Sequence, residues 1–493
     1  HMEHPYNIQP LGNIYHSKDN GKIIINISKR RDGSLGTFLS KLNDSIIYNT
    51  FFGYFNAKDL GIIALVSNYF YVLSHDKDYW KALVLDKYGG SFKFNKTWKD
   101  TYISNLDDKY KPHQPIKMNN IFSDIFFRSH YCTVVPIQKR WIEVENIDRV
   151  DASNLSVTQF QQRYEQPRQP VILTNIVSNW PCHKKWNWEY LMKMYPNDIH
   201  AGGYTFKMPD YVQYMKNSSD EQPLYIFDKK FVEKTGSTYS STDYDIGNDY
   251  DVPSYFKGEN DLFSLLGEEK RPDYRWLIAG PARSGSSFHI DPNATSAWNA
   301  VITGKKKWIM FPPHIVPPGV YPTDDGGDVA TPVTLIEWFL NFYDYAREMG
   351  ARECVCNSGE MIFVPQGWWH MVLNLEDGIA ITQNYVSKSN LKFCLNFLKT
   401  KSHLVSGLMH ERRAGFYKEF TLALKAAYKD TLWKEFVKDI DSNNKNDGKN
   451  KITKCNKLSK ILTSKNTDGD IKLTNGNTSS TFSFNFFKKY DIH

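Results

Sequence analysis

The sequence is short of the features that would send it to several large classes. It holds only six cysteines in 493 residues, at positions 132, 182, 354, 356, 394 and 455. Thiols so few and so scattered cannot staple a chain of this length, and they suit a reducing nuclear or cytoplasmic setting. Cys354 and Cys356 stand too close for the usual zinc pair and no second pair follows, so they read as ordinary strand residues. No apolar run reaches the roughly 18 residues of a membrane span. The polar N-terminus, where His1-Met2 reads as a cloning remnant, has no signal-peptide core. A dense basic stripe is missing too: the net charge of +7 permits nucleic-acid contact without arguing for it. Lys305-Lys306-Lys307 is read as one functional lysine between solvated neighbours. What the chain does have is 41% apolar and 15% aromatic residues, enough for two to four packed domains.

The chemistry-bearing stretch is Phe288-His289-Ile290-Asp291-Pro292, followed at a distance by Pro365-Gln366-Gly367-Trp368-Trp369-His370. On extended backbone, positions i and i+2 share a face, so His289 and Asp291 can reach one metal. His370 is expected on a facing strand. Two neutral imidazoles and one carboxylate on one side of an octahedral Fe(II) leave three positions open, the arrangement needed for a bidentate co-substrate and O2. Ser284-Gly285-Ser286-Ser287 is neither a hydrolase elbow nor a phosphate loop, since no Gly-Lys-Ser/Thr ending follows.

Six zones can be marked along the chain. Residues 1–40 form a polar lead-in. Residues 41–90 read as compact helices: Leu42-Asn43-Asp44-Ser45 caps a run from Ile46 to Phe55, Asn56-Ala57-Lys58-Asp59 turns into a run from Leu60 through Phe70, and Asp78 to Leu83 closes the unit. With Leu42-x-Asp44-Ser45-Ile46-Ile47, Phe55 to Leu60, Ala64-Leu65-Val66-Ser67 and Trp80, this zone resembles an F-box, with Asn43 where that family has Pro. The resemblance implies docking on a Skp-type adaptor of a cullin-RING ubiquitin ligase through Leu42, Ile46, Ile47 and Leu65; the competing reading makes them core. Residues 91–160 are linker and entry elements. Residues 161–395 carry short alternating runs, among them 170–173, 297–302, 307–311, 361–364 and 379–382, punctuated by Gly, Pro, Asn and Asp. A mainly β domain is expected, a jelly-roll, cupin-like double-stranded β-helix with flanking helices. A helical segment over 396–440 would line Ala423, Ala426, Ala427, Leu432, Trp433 and Phe436 along one face. The Asn-, Lys- and Ser-rich tail, 441–493, is expected to be disordered.

The segments Tyr274-Arg275-Trp276, Gly280 to Pro292, Thr295 to Ala300 and Gly304 to Trp308 closely resemble the Jumonji-C family, in particular the lysyl-hydroxylase branch formerly called the phosphatidylserine receptor. Tyr204 to Met208, Pro223 to Asp228 and Ile381 to Tyr385 extend the likeness over roughly residues 135–390. It implies Fe(II), 2-oxoglutarate and O2 as cofactor and co-substrates, with His289, Asp291 and His370 on the metal. Lys306 matches the lysine that meets the far carboxylate of 2-oxoglutarate, and strand alternation separates it from Lys305 and Lys307. Thr382 and Tyr204 match hydroxyl donors, Asn299 matches a residue near the metal, and Ser286 stands where the branch commonly has threonine.

The implied reaction couples decarboxylation of 2-oxoglutarate to succinate and CO2 with hydroxylation of a protein side chain, lysine preferred. The alternatives are demethylation of N-methyl lysine or arginine, an F-box substrate adaptor, and an RNA hydroxylase. Asp324, Asp325 and Asp328 could attract a basic peptide or be a solvated loop.

Overall fold

A computed structural model describes residues 3–10, 35–233 and 249–428. The expected tail over 441–493, much of the lead-in and the positions Leu432, Trp433 and Phe436 lie outside those residues. The strands are β1 (Asp148–Asp151), β2 (Val171–Thr174), β3 (Ile199–Ala201), β4 (Tyr204–Phe206), β5 (Ile226–Asp228), β6 (Arg275–Gly280), β7 (Gly285–His289) and β8 (Ser296–Thr303). There follow β9 (Lys305–Phe311), β10 (Tyr321–Pro322), β11 (Val329–Ala330), β12 (Arg352–Asn357), β13 (Met361–Val364), β14 (Trp369–Asn374) and β15 (Gly378–Tyr385). The apolar runs read from the sequence at 170–173, 297–302, 307–311, 361–364 and 379–382 fall on these strands, except that Pro170 stands one residue ahead of β2.

Two sheets hold the site. The larger has nine strands in the order β1-β2-β13-β8-β15-β6-β5-β3-β4, and the smaller has four in the order β12-β9-β14-β7; β10 and β11 form a separate hairpin. Among the described residues the only parallel pair is β1 with β2. The expected barrel is corrected here: among the described residues no strand of one sheet pairs with a strand of the other, so the sheets do not close. The architecture is a mixed α/β, cupin-like core with flanking helices.

The outer face of the smaller sheet is covered by the helix Leu335–Glu348, one of the flanking helices expected without bounds. Thr334 caps it by accepting from the Glu337 amide. Leu335, Ile336, Trp338, Phe339, Tyr343 and Ala346 are its buried residues. They pack with Phe288, Phe311, Trp369, Met371 and Leu373 of the sheet. That apolar cover fixes which face of β7, β9 and β14 is left to the cavity.

The helical N-terminal zone packs into the core beneath the larger sheet. The run from Ile46 breaks into the helix Asp44–Ile46 capped by Asn43, a π-turn over Ile47–Phe51 and a 3₁₀ turn over Phe52–Tyr54. The second run divides into Ala57–Ile63, with an Asn56/Asp59 capping box, and Asn68–Ser74, capped by Ser67. Ile47, Phe52, Leu60 and Trp80 belong to the same buried cluster as Trp298 and Phe363 of the larger sheet. Helices this short bury too little on their own, and they take their support from the sheet.

At the C-terminal end, the helix Leu391–Thr400 begins ahead of the expected boundary at 395. Over 416–428 the buried residues are Phe416, Phe420 and Leu424, while Ala426 and Ala427 are exposed and Ala423 is half-buried. The face is shifted from the one expected because bulkier side chains, not alanines, fill the groove beside Phe263 and Leu395. Among the described residues no helix is long and apolar enough to cross a membrane.

Candidate metal centre

His289 ends β7, and the extended backbone of Asp291 (φ −60°, ψ 142°) carries the alternation past the strand. His370 sits directly opposite His289 on β14. It therefore comes from the neighbouring strand of the same sheet and not from a facing one. A register shift follows, pairing Val372 with Ser286, so β7 holds one extra residue between Ser286 and His289. Such a bulge re-aims side chains and brings both Ser286 and His289 to the cavity face.

The ligand atoms of His289, Asp291 and His370 all lie within 4.8 Å of one another. His370 Nε2 is 3.7 Å from an Asp291 oxygen, and the imidazole centroids are 4.2 Å apart. His289 Nδ1 is 2.8 Å from the Ser287 carbonyl and His370 Nδ1 is 3.0 Å from the Trp368 carbonyl. A carbonyl only accepts, so each Nδ1 carries the hydrogen and each Nε2 presents a lone pair to the shared centre. Burial pushes both imidazoles down to about 4, with neighbouring His370 lowering His289 further. Burial pushes Asp291 up to about 6, held back by His289 and by a hydrogen bond from Asn384. At neutral pH the set is two neutral imidazoles and one carboxylate, the donor chemistry of a facial-triad Fe(II) site.

The triad opens into a cavity of about 680 Å³ lined also by Ser286, Asn299, Lys306, Thr382 and Tyr225. Met310 of β9 lies opposite His370, and Lys306 lies opposite Asn374 of β14. Lys306 and Met310 are four residues apart and so share a face. At about 3.3 Å per residue this places Lys306 roughly 13 Å along the sheet from the histidine row. Its Nζ donates to Tyr225 Oη at 2.6 Å and to Asn374 Oδ1 at 2.9 Å. Among the described residues it forms no ion pair, although it is buried. On the larger sheet Asn299, opposite Thr382, keeps a buried side-chain oxygen without a hydrogen-bond partner. A buried cation that faces the cavity and has no carboxylate partner among the described residues fits one end of a bound dicarboxylate, while the Asn299 oxygen is an acceptor left for a donor.

The remaining expected positions divide. Tyr204 lies on β4, the outermost strand of the larger sheet, and does not line the cavity; the hydroxyl at the lysine is Tyr225, just ahead of β5. Tyr225 sits in the Pro223–Asp228 match, so its motif was visible but its role was not. Asn374, also overlooked, is fixed by its register with Lys306 and donates to Ser284 Oγ at 2.9 Å. Lys305 is exposed, pairing with Glu376, but Lys307 is not a solvated neighbour: it is fully buried in a 2.7 Å ion pair with Glu353. Cys354 and Cys356 are buried strand residues on β12, and the five described cysteines are all free.

Of the three loop aspartates only Asp328 lines the cavity. Asp325 accepts from Thr323 Oγ1 and the Gly327 amide, which hold its carboxyl below the usual range. In the N-terminal zone Leu65 is 87% exposed and Ile46 44%, whereas Ile47 is fully buried and Leu42 is packed against the core. Ile47 is therefore core and not interface.

A family model described as a cupin-like domain matches residues 157–391. The chain is 42% identical over 436 residues to the arginine-specific demethylase JMJ22 of Arabidopsis thaliana, covering 87% of this chain and 82% of that one. It is 35% identical over 396 residues to the lysine-specific demethylase JMJ21 of Arabidopsis thaliana, covering 76% of this chain and 40% of the relative. It is 40% identical over 264 residues to the bifunctional arginine demethylase and lysyl-hydroxylase psr-1 of Caenorhabditis elegans, covering 50% and 63%. The chain thus spans less than two thirds of the last two. With the triad and the cavity in hand, these likenesses make the chain a member of the cupin-like Jumonji-C family of Fe(II)- and 2-oxoglutarate-dependent oxygenases.

Proposed function

We propose that the enzyme hydroxylates a lysine side chain of a protein, consuming O2 and 2-oxoglutarate and releasing succinate and CO2. The observation that supports the 2-oxoglutarate-dependent part of this reading is the buried Lys306 cation, which has no carboxylate partner among the described residues and shares a sheet face with the metal histidines. An apolar wall and a carboxylate in the same cavity favour a lysine side chain. Bound iron and 2-oxoglutarate supply the oxidising chemistry. The chain's own residues do the rest. His289, Asp291 and His370 hold the metal, each imidazole locked in its tautomer by a backbone carbonyl. Lys306, Tyr225 and Asn374 receive the far carboxylate, while Asn299, Thr382 and Ser286 line its path. The stacked pair Phe227 and Trp276, 5.3 Å between centroids, walls the cavity and suits the apolar stem of a long side chain. Asp328 supplies a carboxylate for its cationic end.

Demethylation of N-methyl arginine is the second reading, favoured by the 42% identity to a relative named as an arginine-specific demethylase. Both share the same cofactors and differ in product. The test loads wild type and a His289→Ala, Asp291→Ala double variant with Fe(II) and 2-oxoglutarate without oxygen, then admits air over lysine- and methylarginine-bearing peptides. Triad-dependent succinate with a product heavier by one oxygen supports lysyl hydroxylation. Loss of a methyl group with formaldehyde moves the assignment to demethylation, and no 2-oxoglutarate binding by metal-loaded, folded protein overturns both.

The F-box-like zone suggests a further role as an adaptor. Ile46, Phe51, Tyr54, Ile62, Leu65 and Val66 are all exposed within a short stretch, an apolar surface of the kind that docks a partner. Leu65→Glu with Ile46→Glu should abolish co-purification of a Skp-type adaptor; unchanged recovery removes this reading. The working compartment is proposed to be the nucleus or cytoplasm, supported by the free cysteines.

A further inference from the structure

The cavity mouth is built in part by a segment outside the cupin-like match: Lys401, His403, Leu404, Val405 and Ser406 line it beside the β10–β11 hairpin. Lys401 Nζ joins the two pieces by donating to the Asp325 carbonyl at 2.7 Å. Behind the lip, Val405 and Leu408 are anchored in the C-terminal apolar cluster.

The lip is tied to the metal centre at one residue. Asn293, two positions after Asp291, is 3% exposed. It donates from Nδ2 to the Ser406 carbonyl and accepts at Oδ1 from the Ser406 amide, both at 2.9 Å. A primary amide meeting both groups of one peptide residue imitates a pair of strand hydrogen bonds, so it fixes distance and orientation together. The loop that carries it is itself held in an uncommon conformation. Asn293 has φ 57° and Ala294 φ 53°, in the left-handed region that asparagine tolerates better than most side chains. Asn390 Nδ2 donates to the Ala294 carbonyl at 3.1 Å, and Thr295 Oγ1 donates to the Pro292 carbonyl at 2.8 Å. Thr295 Oγ1 accepts in turn from Asn384, the residue whose amide also reaches Asp291. A strained loop persists only where its surroundings over-determine it, and Asn293 supplies two of the bonds that do so.

We infer that Asn293 is a positioning residue that couples the lip over residues 401–408 to the metal ligand Asp291, so that closure of the mouth and the aim of the carboxylate are set together. The lip is then part of the active site although it lies beyond the cupin-like match.

The test uses the full chain as wild type, Asn293→Gly, Asn293→Asp and Lys401→Ala. Glycine keeps the left-handed backbone and deletes both bonds; aspartate keeps the acceptor alone. Hydrogen–deuterium exchange reports the lip and calorimetry with Mn(II) reports the metal site, neither requiring turnover. Asn293→Gly should lose at least tenfold protection over 401–408 and weaken Mn(II) about tenfold, and Asn293→Asp should lose about threefold in each. Lys401→Ala, which removes only the bond to the Asp325 carbonyl, should lose protection in the β10–β11 hairpin and less than twofold over 402–408. Lip protection that survives Asn293→Gly overturns the inference. So does lost protection with Mn(II) affinity held within twofold, because Asn293 would then anchor the lip alone. If Asn293→Gly does not fold, Asn293→Asp decides by the same criteria.

Discussion

Replacing Lys306 by methionine separates co-substrate binding from metal binding and from folding. Methionine has nearly the length and volume of lysine and fills irregular space, so the core around Cys356 and Asn374 is conserved. In the free protein the lysine is a buried cation with only neutral partners, Tyr225 and Asn374. Burying a charge without a counter-charge is costly, so its removal should leave the apo protein at least as stable as wild type. With 2-oxoglutarate present the sign reverses. The far carboxylate would enter the pocket with no cation, and breaking one side of a buried ion pair costs about 3–5 kcal/mol. At about 1.4 kcal/mol per decade this weakens 2-oxoglutarate by roughly two to three and a half orders of magnitude. Calorimetry with Mn(II) in place of Fe(II) measures both affinities without turnover. Lys306 stands roughly 13 Å along the sheet from the histidine row at about 3.3 Å per residue, so Mn(II) affinity should be unchanged. If Lys306→Met bound 2-oxoglutarate within threefold of wild type, the carboxylate assignment would fail.

Three other outcomes are expected. Lys307→Ala leaves Glu353 buried without its 2.7 Å partner and should cost about 3–5 kcal/mol of stability; the melting temperature should fall by several degrees while 2-oxoglutarate affinity in the folded fraction stays put. Metal affinity should be flat near neutral pH and fall with acid: Asp291, raised to about 6, must lose a proton to bind below that pH, giving about tenfold per unit, and His289 and His370, lowered to about 4, steepen the loss only near that value. A Mn(II) titration series from pH 7.5 to 4.5 that showed a steep loss beginning at 7 would contradict this burial-driven order. Gly285→Ala should disrupt the pairing of β7 with β14, because an added Cβ would stand 2.0 Å from the Val372 carbonyl oxygen. Circular dichroism and Mn(II) binding together should register the loss.

Much of the smaller sheet was legible because strands have a period of two. That period put His289 with Asp291 and separated Lys306 from its neighbours, and it needs no knowledge of the rest of the chain. It failed at Lys307, whose opposite face looked solvated until Glu353 and the helix Leu335–Glu348 covered it. Tyr204 and Tyr225 both lie in family-like motifs, and choosing between them requires the order of strands across the larger sheet. In that order β5 borders β6 while β4 is at the rim. The helical run from Ile46 to Phe55 was visible as periodicity, yet its breaks and its burial against the larger sheet were not.

The sequence by itself determined the donor set, since residue identity and local spacing decide which atoms can bind a metal and which strand face they take. It determined the family as well, through motifs spread over half the chain. Tertiary structure alone decided which residues meet those atoms from afar: Tyr225 and Asn374 at Lys306, Glu353 at Lys307, and Ser406 at Asn293. The physical reason is that register, sheet order and the bulge in β7 depend on what packs on each face. That packing is a property of distant segments together and of none of them singly.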